Sequence, residues 1–451
     1  MIDVIKVENP GTKKIVCEIK CDSLSEINRK IDQCHQQFEQ MQSLTSCERI
    51  AILRTISSVI EKNIEVLADS LVEEVGKTKE EAKNELRASK KVYDWFANQT
   101  IPETVLTNTA KEVTVIRKPY GVIGLVIPWS FPMAVLAWKL APSILHGNTA
   151  IIKSSPLAPL TIDKFINLIS SVIPLNLVNH VKGYEDAVDI LIDNEKVKMI
   201  ALTGNTMTGI NVLKKTANAL KRTSLQLSGN DAAILMDDYC LDHIERLFWG
   251  IFSNAGQACY SIKRIYADKK IYSAFINKLF EYSKTINVGN GFDSKNQMGA
   301  LINREQVSKM NQYVSEIKYK GGRVLVGGKY VDPNGHFFPP TIVYDLNLNC
   351  AIISEEQFGP IIPIIPINGI IEAIEEANKH GFGLGASIWT HNKEEAIQHM
   401  KKIDAAQAWI NMHGDTEKSA PFGGLGKSGF EIEHGMNLFS YAQTLHVPLD
   451  T

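Results

Sequence analysis

A cysteine in a glycine-containing turn is the first candidate for covalent chemistry in this sequence. Cys259 stands in the segment NAGQACYS, close after Gly256. A free cysteine is most often a small buried hydrophobic residue. The small residues around this one leave room for a substrate, however, and a thiolate there could add to a carbonyl carbon. The pattern indicates a candidate nucleophile, with a purely structural cysteine as the alternative.

The segment LQLSGND raises the question of whether such a nucleophile has a proton acceptor. Gln226 lies there, where a predicted strand runs into a polar turn. A glutamine can orient a water molecule, but its amide cannot take a proton from it. A second turn, PWSFP at 128–132, has two prolines that fix the backbone and present Trp129 and Ser130. A structural corner is the alternative for that turn.

Two strand ends carry residues suited to a phosphate or a ribose. Gly204 and Gly209 follow an apolar strand, where glycines let a phosphate approach a helix N-terminus. Lys153 and Ser155 lie in AIIKSSP, as another strand ends at what would be the ligand-binding edge of a parallel sheet. A plain turn and a solvated lysine are the alternatives. The segments SEEQFGPI and APFGGLGKSG, taken alone, are typical of a solvated acidic loop and a flexible connection.

Hydrophobic periodicity predicts the elements that would position these residues. Residues 24–99 show apolar positions at helical spacing, and Thr45 with Glu48 fits a capping box. From 148 to 204, short apolar strands alternate with helical stretches, which is typical of a parallel sheet with crossover helices. A second α/β region follows Gly229, and the tail YAQTLHVPL predicts a final strand. The predicted fold class is therefore α/β.

The composition limits the functions to consider. The 451 residues suggest two or three domains at about 100–200 residues each. A formal net charge of -2 without a basic block gives no reason to expect nucleic acid. The apolar runs are too short to span a bilayer, and the N-terminus lacks the pattern of a signal peptide. The seven cysteines show no metal-site spacing, so we expect free thiols, no metal and a cytoplasmic location.

Seven segments, taken together and in order, resemble the motifs of the aldehyde dehydrogenase superfamily across nearly the whole chain. They are PWSFP, GNTAIIKSS, LTGNTMTG, LQLSGND, NAGQAC, EEQFGPI and PFGGLGKSG. Among subgroups, the chain is most similar to the short bacterial succinate-semialdehyde dehydrogenases. The resemblance implies an aldehyde dehydrogenase-like fold with a Rossmann-like NAD(P)-binding domain, an α/β catalytic domain and a small β extension for oligomerisation. The implied boundaries of these three parts are, in that order, 1–100 with 120–228, 229–419, and 101–119 with 420–451.

The same resemblance implies roles for individual residues. Cys259 matches the nucleophile, which would form a thiohemiacetal and then, after hydride transfer to the nicotinamide, a thioester that water hydrolyses. NAD or NADP is the implied cofactor, a small aldehyde the substrate, and a homodimer or homotetramer the assembly. The positions that match cofactor contacts are Trp129, Lys153, Ser155, Gly204, Asn205, Gly209, Leu227, Glu356 and Phe358. Pro156 replaces an acid that would repel a 2′-phosphate, so NADP is permitted but not required.

Several positions depart from the pattern of the family. Gln226 stands where the family has a general-base glutamate, and Ser228 replaces a glycine next to it. Ser130 stands where the family has an asparagine that binds the oxyanion. Losing one oxyanion donor typically costs ~10²–10³ in turnover, and losing a general base typically costs ~10²–10⁴. Because hydride transfer needs only the thiolate and the bound cofactor, thioester hydrolysis should suffer most.

Three functions stay open at this point. The first is an NAD(P)-dependent aldehyde dehydrogenase with slow deacylation. The second is a CoA-acylating enzyme, because a thiol with a pKa of about 8.5 depends less on a general base than water does. The third is a degenerate member that binds NAD(P) or a partner chain and does little chemistry. Lys418 could pair with a substrate carboxylate, as in succinate semialdehyde, or be solvated. Glu433 matches a glutamate of the family pattern after the glycine-rich loop.

Overall fold

Two paired strands and four helices form the N-terminal part of the chain. The computed structural model describes residues 3–101, 104–107, 111–329, 334–433 and 435–449. The first elements are the antiparallel strands β1 (Val4–Glu8) and β2 (Ile15–Lys20) and the helices α1 (Leu24–Ser43), α2 (Ser46–Lys62), α3 (Ile64–Val75) and α4 (Lys79–Phe96). The helical spacing predicted for 24–99 is confirmed.

Capping boxes begin three of these helices. At α2, the Thr45 hydroxyl accepts a hydrogen bond from the Glu48 N–H at 3.3 Å, and the Glu48 carboxylate accepts one from the Thr45 N–H at 2.8 Å. Ser23 and Thr78 form the same arrangement at α1 and α4. Each cap satisfies backbone groups that the first helical turn leaves unpaired, and is typically worth about 1 kcal/mol. The capping box predicted at Thr45 is therefore confirmed.

Five parallel strands form most of the first large sheet, and the order in which the chain adds them reverses at the first of them. After β3 (Thr104–Thr107) and β4 (Lys111–Pro119), its strands are β5 (Val122–Ile127), β6 (Thr149–Ser154), β7 (Val178–Val181), β8 (Val197–Thr203) and β9 (Arg222–Gln226). They are connected by helices α5 (Pro132–Leu145), α6 (Leu160–Ser170), α7 (Glu185–Asp193) and α8 (Thr206–Asn218). The spatial order is β9-β8-β5-β6-β7. Since β6 and β8 flank β5, the crevice at the carboxyl ends beside β5 is where such sheets bind ligands.

The second large sheet has seven strands. Its elements are β10 (Asp231–Leu235), α9 (Ile244–Phe252), β11 (Ile262–Asp268), α10 (Lys269–Ser283), α11 (Arg304–Tyr319), β12 (Arg323–Val326), β13 (Thr341–Tyr344), α12 (Ala351–Ser354), β14 (Ile361–Ile367), α13 (Ile370–Asn378), β15 (Phe382–Gly383, outside the sheet), β16 (Gly385–Trp389), α14 (Lys393–Met400) and β17 (Gln407–Ile410). The spatial order is β12-β13-β14-β11-β10-β16-β17, and only β12 pairs antiparallel. The predicted second α/β region is confirmed.

The glycine-rich segment APFGGLGKSG forms short paired strands. Strand β18 (Leu425–Gly426) pairs with β15, and β19 (Gly429–Phe430) pairs antiparallel with β9 at the edge of the first sheet. The alternative interpretation as a flexible connection is therefore wrong, because backbone hydrogen bonds hold the segment at both ends. The predicted final strand is β20 (Ser440–Pro448), which pairs with β4, and β4 also pairs with β3.

Hydrophobic clusters cover both faces of the first sheet and surround the second. Helices α2 to α6 pack on one face of the first sheet, and α1, α7 and α8 on the other. A further cluster fills the second sheet and its helices. Strands buried on both faces read as continuous apolar runs, which is why they were detectable in the sequence. Within the described ranges, no helix combines the length and apolar character needed to cross a membrane.

The domain boundaries implied by the resemblance stay a prediction. The division at 228/229 falls between β9 and β10, which belong to different sheets. The sheet of β3, β4 and β20 falls within the implied extension, whereas β19 in the same implied part pairs with β9. Residues 1–2, 102–103, 108–110, 330–333, 434 and 450–451 of the implied parts lie outside the described residues.

Candidate active site

The predicted cofactor residues gather at the carboxyl edge of the first sheet. Trp129 follows the end of β5, Lys153 and Ser155 lie at the end of β6, and Gly204 follows β8. Gln226 is the last residue of β9. Because these strands are neighbouring parallel strands, residues far apart in sequence lie along one edge around the point where the strand order reverses.

Glycines shape the backbone where β8 leads into helix α8. The Gly204 N–H donates to the carbonyl of Gln226 at 3.0 Å, which ties β8 to β9. Asn205 caps α8, because its side chain accepts a hydrogen bond from a backbone N–H of the first turn at 2.8 Å. A Cβ at Gly209 would lie 2.4 Å from the Leu227 side chain. The glycine therefore lets Leu227 pack against the start of α8, a helix terminus of the kind that suits a phosphate.

Lys153 is buried at the same edge. Only 4% of the residue is exposed, and burial lowers the pKa of its ammonium group to about 8, although Asp186 and Glu185 act in the opposite direction. Ser155 is engaged in its own turn, where its hydroxyl accepts a hydrogen bond from the Leu157 N–H at 3.2 Å. Of Lys153 and Ser155, the lysine is therefore the residue that can offer a charge to the ribose or phosphate of a ligand.

The segment EEQFGPI, which precedes β14, packs against the turn PWSFP, which follows β5. The rings of Phe358 and Trp129 meet nearly perpendicular, with centroids 5.4 Å apart. The Glu356 carboxylate accepts a hydrogen bond from the Gly229 N–H at 3.0 Å. Burial raises the pKa of Glu356, while the charge of Lys263 and a hydrogen bond from Ser228 lower it. Aromatic and acidic groups from the two sheets therefore meet at one place.

Gly229 also joins Glu356 to the loop that bears the candidate nucleophile. A Cβ at Gly229 would lie 2.0 Å from the backbone carbonyl oxygen of Cys259, so the two backbones are in direct contact. Cys259 is partly buried. Burial, together with the carboxylates of Glu356 and Asp231, raises the pKa of its thiol to about 12, while Lys263 acts in the opposite direction. At neutral pH the group is a thiol, and its reactivity depends on the charges placed around it.

The loop before Cys259 has an unusual backbone conformation. Asn254, Ala255 and Gly256 all have positive φ angles, of 50°, 54° and 69°. Non-glycine residues in this region cost roughly 1–3 kcal/mol each and cluster at functional sites. The conformation is held from outside, because the Asn254 N–H donates to the Glu81 carboxylate at 2.8 Å. The strain therefore supports a functional role for this loop.

Ser130 is fixed through its carbonyl by residues that sequence reasoning did not single out. The carbonyl accepts hydrogen bonds from the Lys77 ammonium at 2.9 Å and from the Asn254 amide at 3.3 Å. Lys77 forms a fully buried ion pair with Glu85 at 2.5 Å, and Glu85 also accepts the Met133 N–H at the start of α5 at 2.8 Å. Glu85 falls on the buried face of α4. A charged residue at an apolar position of the helical pattern was the signal that could have found it.

Gln226 is buried with an unusual lack of partners. It is 2% exposed, and neither its amide oxygen nor its amide nitrogen has a hydrogen-bond partner among the described residues. Its backbone is firmly placed, since it pairs with Gly429 and the next residue, Leu227, donates to the Ser428 carbonyl at 2.9 Å. An unpaired buried amide costs about 1–3 kcal/mol. This side chain is therefore suited to bind a polar group that enters the cleft.

Glu433 is buried in an ion pair with Lys139 of helix α5. Burial lowers the pKa of Lys139, and the charge of Glu433 opposes that effect. The Glu433 carboxylate therefore balances the charge of the buried Lys139. An unpaired carboxylate would not carry out this structural role.

Aromatic side chains surround the residue that follows the nucleophile. The Tyr260 ring lies 6.1 Å from the ring of Phe131 and 6.5 Å from that of Phe422. Phe131 is part of the turn PWSFP, so this group continues from the site of Ser130. Lys418 is partly exposed, and its backbone N–H donates to the carboxylate of its neighbour Glu417 at 2.8 Å. The neighbours of the Tyr260 ring are thus aromatic, and the Lys77 ammonium lies 4.3 Å from the centroid of one of them, Phe131.

Comparisons with known proteins identify the family to which this structure of two α/β units belongs. The model of the aldehyde dehydrogenase family matches residues 2–447. The chain belongs to the aldehyde dehydrogenase family, and its structure has the fold of that family.

Two curated relatives and one solved structure illustrate the similarity. A probable NADP(+)-dependent succinate-semialdehyde dehydrogenase of Sinorhizobium fredii is 31% identical over 95% of this chain and 90% of its own length. The D-glyceraldehyde dehydrogenase (NADP(+)) of Picrophilus torridus is 28% identical over 99% of this chain and 93% of its own length. The crystal structure of lactaldehyde dehydrogenase from Escherichia coli matches with a TM-score of 0.95 at 28% identity, over 99% of this chain and 96% of that one.

Proposed function

We propose that this chain oxidises a small aldehyde to the carboxylic acid with NAD or NADP, through covalent attachment to Cys259, and that release of the acid from Cys259 is slow. The observation that carries the proposal is the position of Gly229. Its backbone touches the Cys259 carbonyl and also binds the Glu356 carboxylate at 3.0 Å. One residue thus brings the nucleophile loop against a predicted cofactor residue.

The residues at the edge of the first sheet fit a dinucleotide. The Leu227 side chain occupies the space that a Cβ at Gly209 would need. The buried Lys153 supplies a cation at the same edge of the sheet. The Thr203 hydroxyl and the Gln226 amide are buried polar groups without partners among the described residues. When bound, the nicotinamide would accept a hydride from the aldehyde carbon. Both NAD and NADP are compatible with Pro156, and the two curated relatives described above carry NADP(+) in their names.

The first covalent step needs Cys259 and a donor for the developing oxyanion. The deprotonated sulfur would add to the aldehyde carbon, and the carbonyl oxygen would gain the negative charge. Ser130 can donate one hydrogen bond to that oxygen from its hydroxyl group. The turn that bears it is rigid, because Lys77 and Asn254 hold its carbonyl. A serine is shorter than the asparagine of the family, so this step should be weakened but not abolished.

Release of the product by water is the step that the altered residues affect most. Water needs to lose a proton as it attacks the thioester, and Gln226 can orient it but cannot accept that proton. Glu433, although buried, is paired with Lys139. Without a positioned base, hydrolysis is expected to slow by about 10²–10⁴. The acyl group should therefore accumulate on Cys259.

The Gln226 position favours one alternative function, acylation of CoA. A thiol with a pKa of about 8.5 is partly ionised near neutrality and therefore needs less help from a base than water does. The aldehyde would be oxidised on Cys259 in the same way, and the CoA sulfur would then take the acyl group from Cys259. We rank this below hydrolysis, because the remaining motifs resemble the hydrolytic semialdehyde group.

Succinate semialdehyde is one candidate substrate. It is named for the Sinorhizobium fredii relative, whereas the Picrophilus torridus relative is named for D-glyceraldehyde, which carries no carboxylate. Lys418 could pair with the succinate semialdehyde carboxylate. A second cation, Lys77, lies 4.3 Å from the centroid of the Phe131 ring, but it is already paired with Glu85. A comparison of both aldehydes with wild-type protein and Lys418→Met would separate the two assignments.

A homodimer or homotetramer is proposed as the assembly. Strand β20 lies at one edge of its sheet, and β17 lies at one edge of the second sheet. Apolar side chains remain exposed on β20 and β3, including Leu445, Val447 and Leu106. An unpaired strand edge can pair with another chain, and a contiguous exposed apolar patch marks an interaction site. Light scattering coupled to size-exclusion chromatography should give a mass of two or four chains, and a monomer would contradict the proposal.

A burst experiment tests the proposed function. Rapid mixing of the protein with NAD or NADP and a panel of aldehydes should produce reduced cofactor equal to the enzyme concentration, followed by a slow steady state. Mass spectrometry of the intact chain should show the acyl group on Cys259. The absence of a burst with every aldehyde, combined with tight dinucleotide binding, would instead indicate a degenerate member of the family.

Added CoA separates the two catalytic hypotheses. If hydrolysis is the natural release step, CoA should leave the steady-state rate unchanged. A CoA-dependent increase of that rate, with acyl-CoA as the product, would overturn the hydrolytic assignment in favour of the acylating one.

A further inference from the structure

Lys263 is a buried lysine next to the nucleophile loop, outside every motif considered so far. It is 1% exposed, and its ammonium donates a hydrogen bond to the Gly256 carbonyl at 2.7 Å. The same ammonium lies 5.3 Å from the centroid of the Phe358 ring. A lysine is almost never fully buried unless it is paired. The Lys263 ammonium therefore lies in the interior, between the nucleophile loop and Phe358, a predicted cofactor residue.

A bulge in strand β11 directs this side chain. In the parallel pairing of β10 with β11, Asp231 lies opposite Ile262 and Ala232 lies opposite Arg264, so Lys263 is the additional residue. A bulge of this kind re-aims a side chain and is over-represented next to active sites. The Lys263 carbonyl accepts a hydrogen bond from Gln357 at 3.0 Å, which fixes its backbone. The placement of the ammonium thus follows from strand geometry.

The charged groups around Lys263 and Cys259 come from several elements. Glu356 precedes β14, Asp231 begins β10, and both raise the pKa of the Cys259 thiol. Lys309 of α11 donates to the Glu356 carbonyl at 2.9 Å. His413, which follows β17, bonds the Tyr260 carbonyl at 3.0 Å and lies 3.4 Å from Asp231. Of the groups that act on the thiol, Lys263 is the cation that favours its ionised form.

We propose that Lys263 is a positioning residue of the Cys259 site, whose buried ammonium holds the Gly256 carbonyl and supplies the positive charge against which the Cys259 thiolate forms. The inference rests on the proposed function in that Cys259 is the nucleophile. The proton of the thiol leaves to solvent. Burial lowers the pKa of the Lys263 ammonium to about 8, although Glu356 and Asp231 act in the opposite direction, so Lys263 carries its charge below about pH 8. Removing this charge next to two carboxylates should raise the pKa of the thiol further, by about one unit.

Two variants separate the charge from the hydrogen bond. Lys263→Gln keeps a donor for the Gly256 carbonyl and removes the charge, while Lys263→Met removes both. The readout is the rate of alkylation of Cys259 by iodoacetamide as a function of pH, followed on the tryptic peptide that contains Cys259. Below about pH 8, where the wild-type Lys263 is charged, a shift of one unit in the pKa of the thiol appears as an alkylation rate about tenfold lower at each pH. We expect this decrease in both variants.

Lys221→Met is the matched control. Lys221 is another lysine with a lowered pKa, and its ammonium holds the carbonyls of Leu191, Asn194 and Val197 far along the chain from Cys259. It should lose stability without any change in the alkylation profile. A profile of folded Lys263→Gln that coincides with that of the wild type would overturn the proposal, even if Lys263→Met fails to fold.

Alkylation of Cys259 by iodoacetamide does not require turnover of an aldehyde. The proposed function and the role of Lys263 are therefore tested independently of each other. If the wild type shows no burst with any aldehyde but Lys263→Gln still slows alkylation tenfold, the role of Lys263 stands and the oxidation of aldehydes does not. If the burst occurs and the profile is unchanged, the proposed function stands and the role of Lys263 does not.

Discussion

The edge of the first sheet and the proposed catalytic positions beside it differ in how fully their polar groups are hydrogen-bonded. At the edge, Gly204 and Asn205 are held by hydrogen bonds, and Leu227 packs against Gly209. At the proposed catalytic positions, the Gln226 amide is buried without a partner among the described residues, and burial together with two neighbouring carboxylates raises the pKa of the Cys259 thiol. In the first region most of the named groups are bonded, although the Thr203 hydroxyl has no partner among the described residues, whereas in the second region the Gln226 amide is left entirely without partners there.

This difference indicates where substitutions alter function. Contacts to a dinucleotide at a sheet edge are made largely by backbone and by the absence of side chains, and those residues match the pattern of the family. A base and an oxyanion donor each need one particular chemical group at one place. We therefore expect that glutamine at position 226 and serine at position 130 weaken the chemistry without disturbing cofactor binding. We expect the two regions to respond separately to mutation.

The largest effect is expected for Cys259→Ser. Removal of the nucleophile should lower aldehyde oxidation by at least about 10⁴-fold, while the Kd for NAD(P) stays within about twofold of wild type, since no predicted cofactor contact is lost. Reduced cofactor is measured by absorbance and the Kd by calorimetry. Cys47→Ser is the control, because Cys47 is exposed on α2 and its loss should leave both values unchanged. Oxidation that survives Cys259→Ser would exclude the covalent route.

The next effect is expected for Gln226→Glu. A carboxylate at this position could accept the proton of the attacking water, so the slow phase after the burst should accelerate by about 10²-fold. The amplitude of the burst should not change, because it precedes hydrolysis. Gln226→Met is the matched control and should not accelerate the slow phase. An unchanged rate in folded Gln226→Glu would show that the missing base does not limit turnover.

The pH dependence of Cys259 should show the effect of its carboxylate neighbours. Because the pKa of the thiol is raised to about 12, the thiolate fraction, and with it the alkylation rate, should rise about tenfold per pH unit between about pH 7 and 10. Peptide mass spectrometry after iodoacetamide treatment of the cofactor-free protein provides the measurement. A rate that reaches a plateau below about pH 9 would contradict the raised pKa.

The smallest effect is expected for Gly209→Ala, which tests the cofactor region alone. The added Cβ would meet the Leu227 side chain, which can shift at some expense. Overpacking at the low end costs about 1 kcal/mol, so the Kd for NAD(P) should rise about fivefold. Gly435→Ala is the control, because no atom of the part of the chain that the structure describes is found within 4 Å of the position of its Cβ. Alkylation of Cys259 should be the same in both variants, and a change only in Gly209→Ala would show that the two regions are coupled.

Most of the fold was predictable from local patterns. Helical spacing located the helices in 24–99, and the alternation from 148 to 204 located a parallel sheet, because its strands are largely buried on both faces and mostly apolar. The glycine-rich segment was not predictable as β18 and β19, since each strand has only two residues and their partners are distant. Short strands leave no periodicity to detect.

The candidate site was predictable where a motif lies within a few residues, as for Cys259 and Gln226. The ion pair of Lys77 with Glu85 beneath Ser130, and the ammonium of Lys263, were not found in that way. Their roles come from contacts between segments far apart in sequence, and each looks locally like an ordinary charged residue of a helix or strand.

The sequence by itself determined which chemical groups the chain possesses. It specified a thiol at position 259 and an amide at position 226, because side-chain identity decides what can act as nucleophile or base. The tertiary structure decided how those groups behave. Burial and the carboxylates of Glu356 and Asp231 raise the pKa of the thiol, and the bulge in β11 brings Lys263 to oppose them. Charges interact through space in a poorly screened interior, so only the fold determines which of them meet.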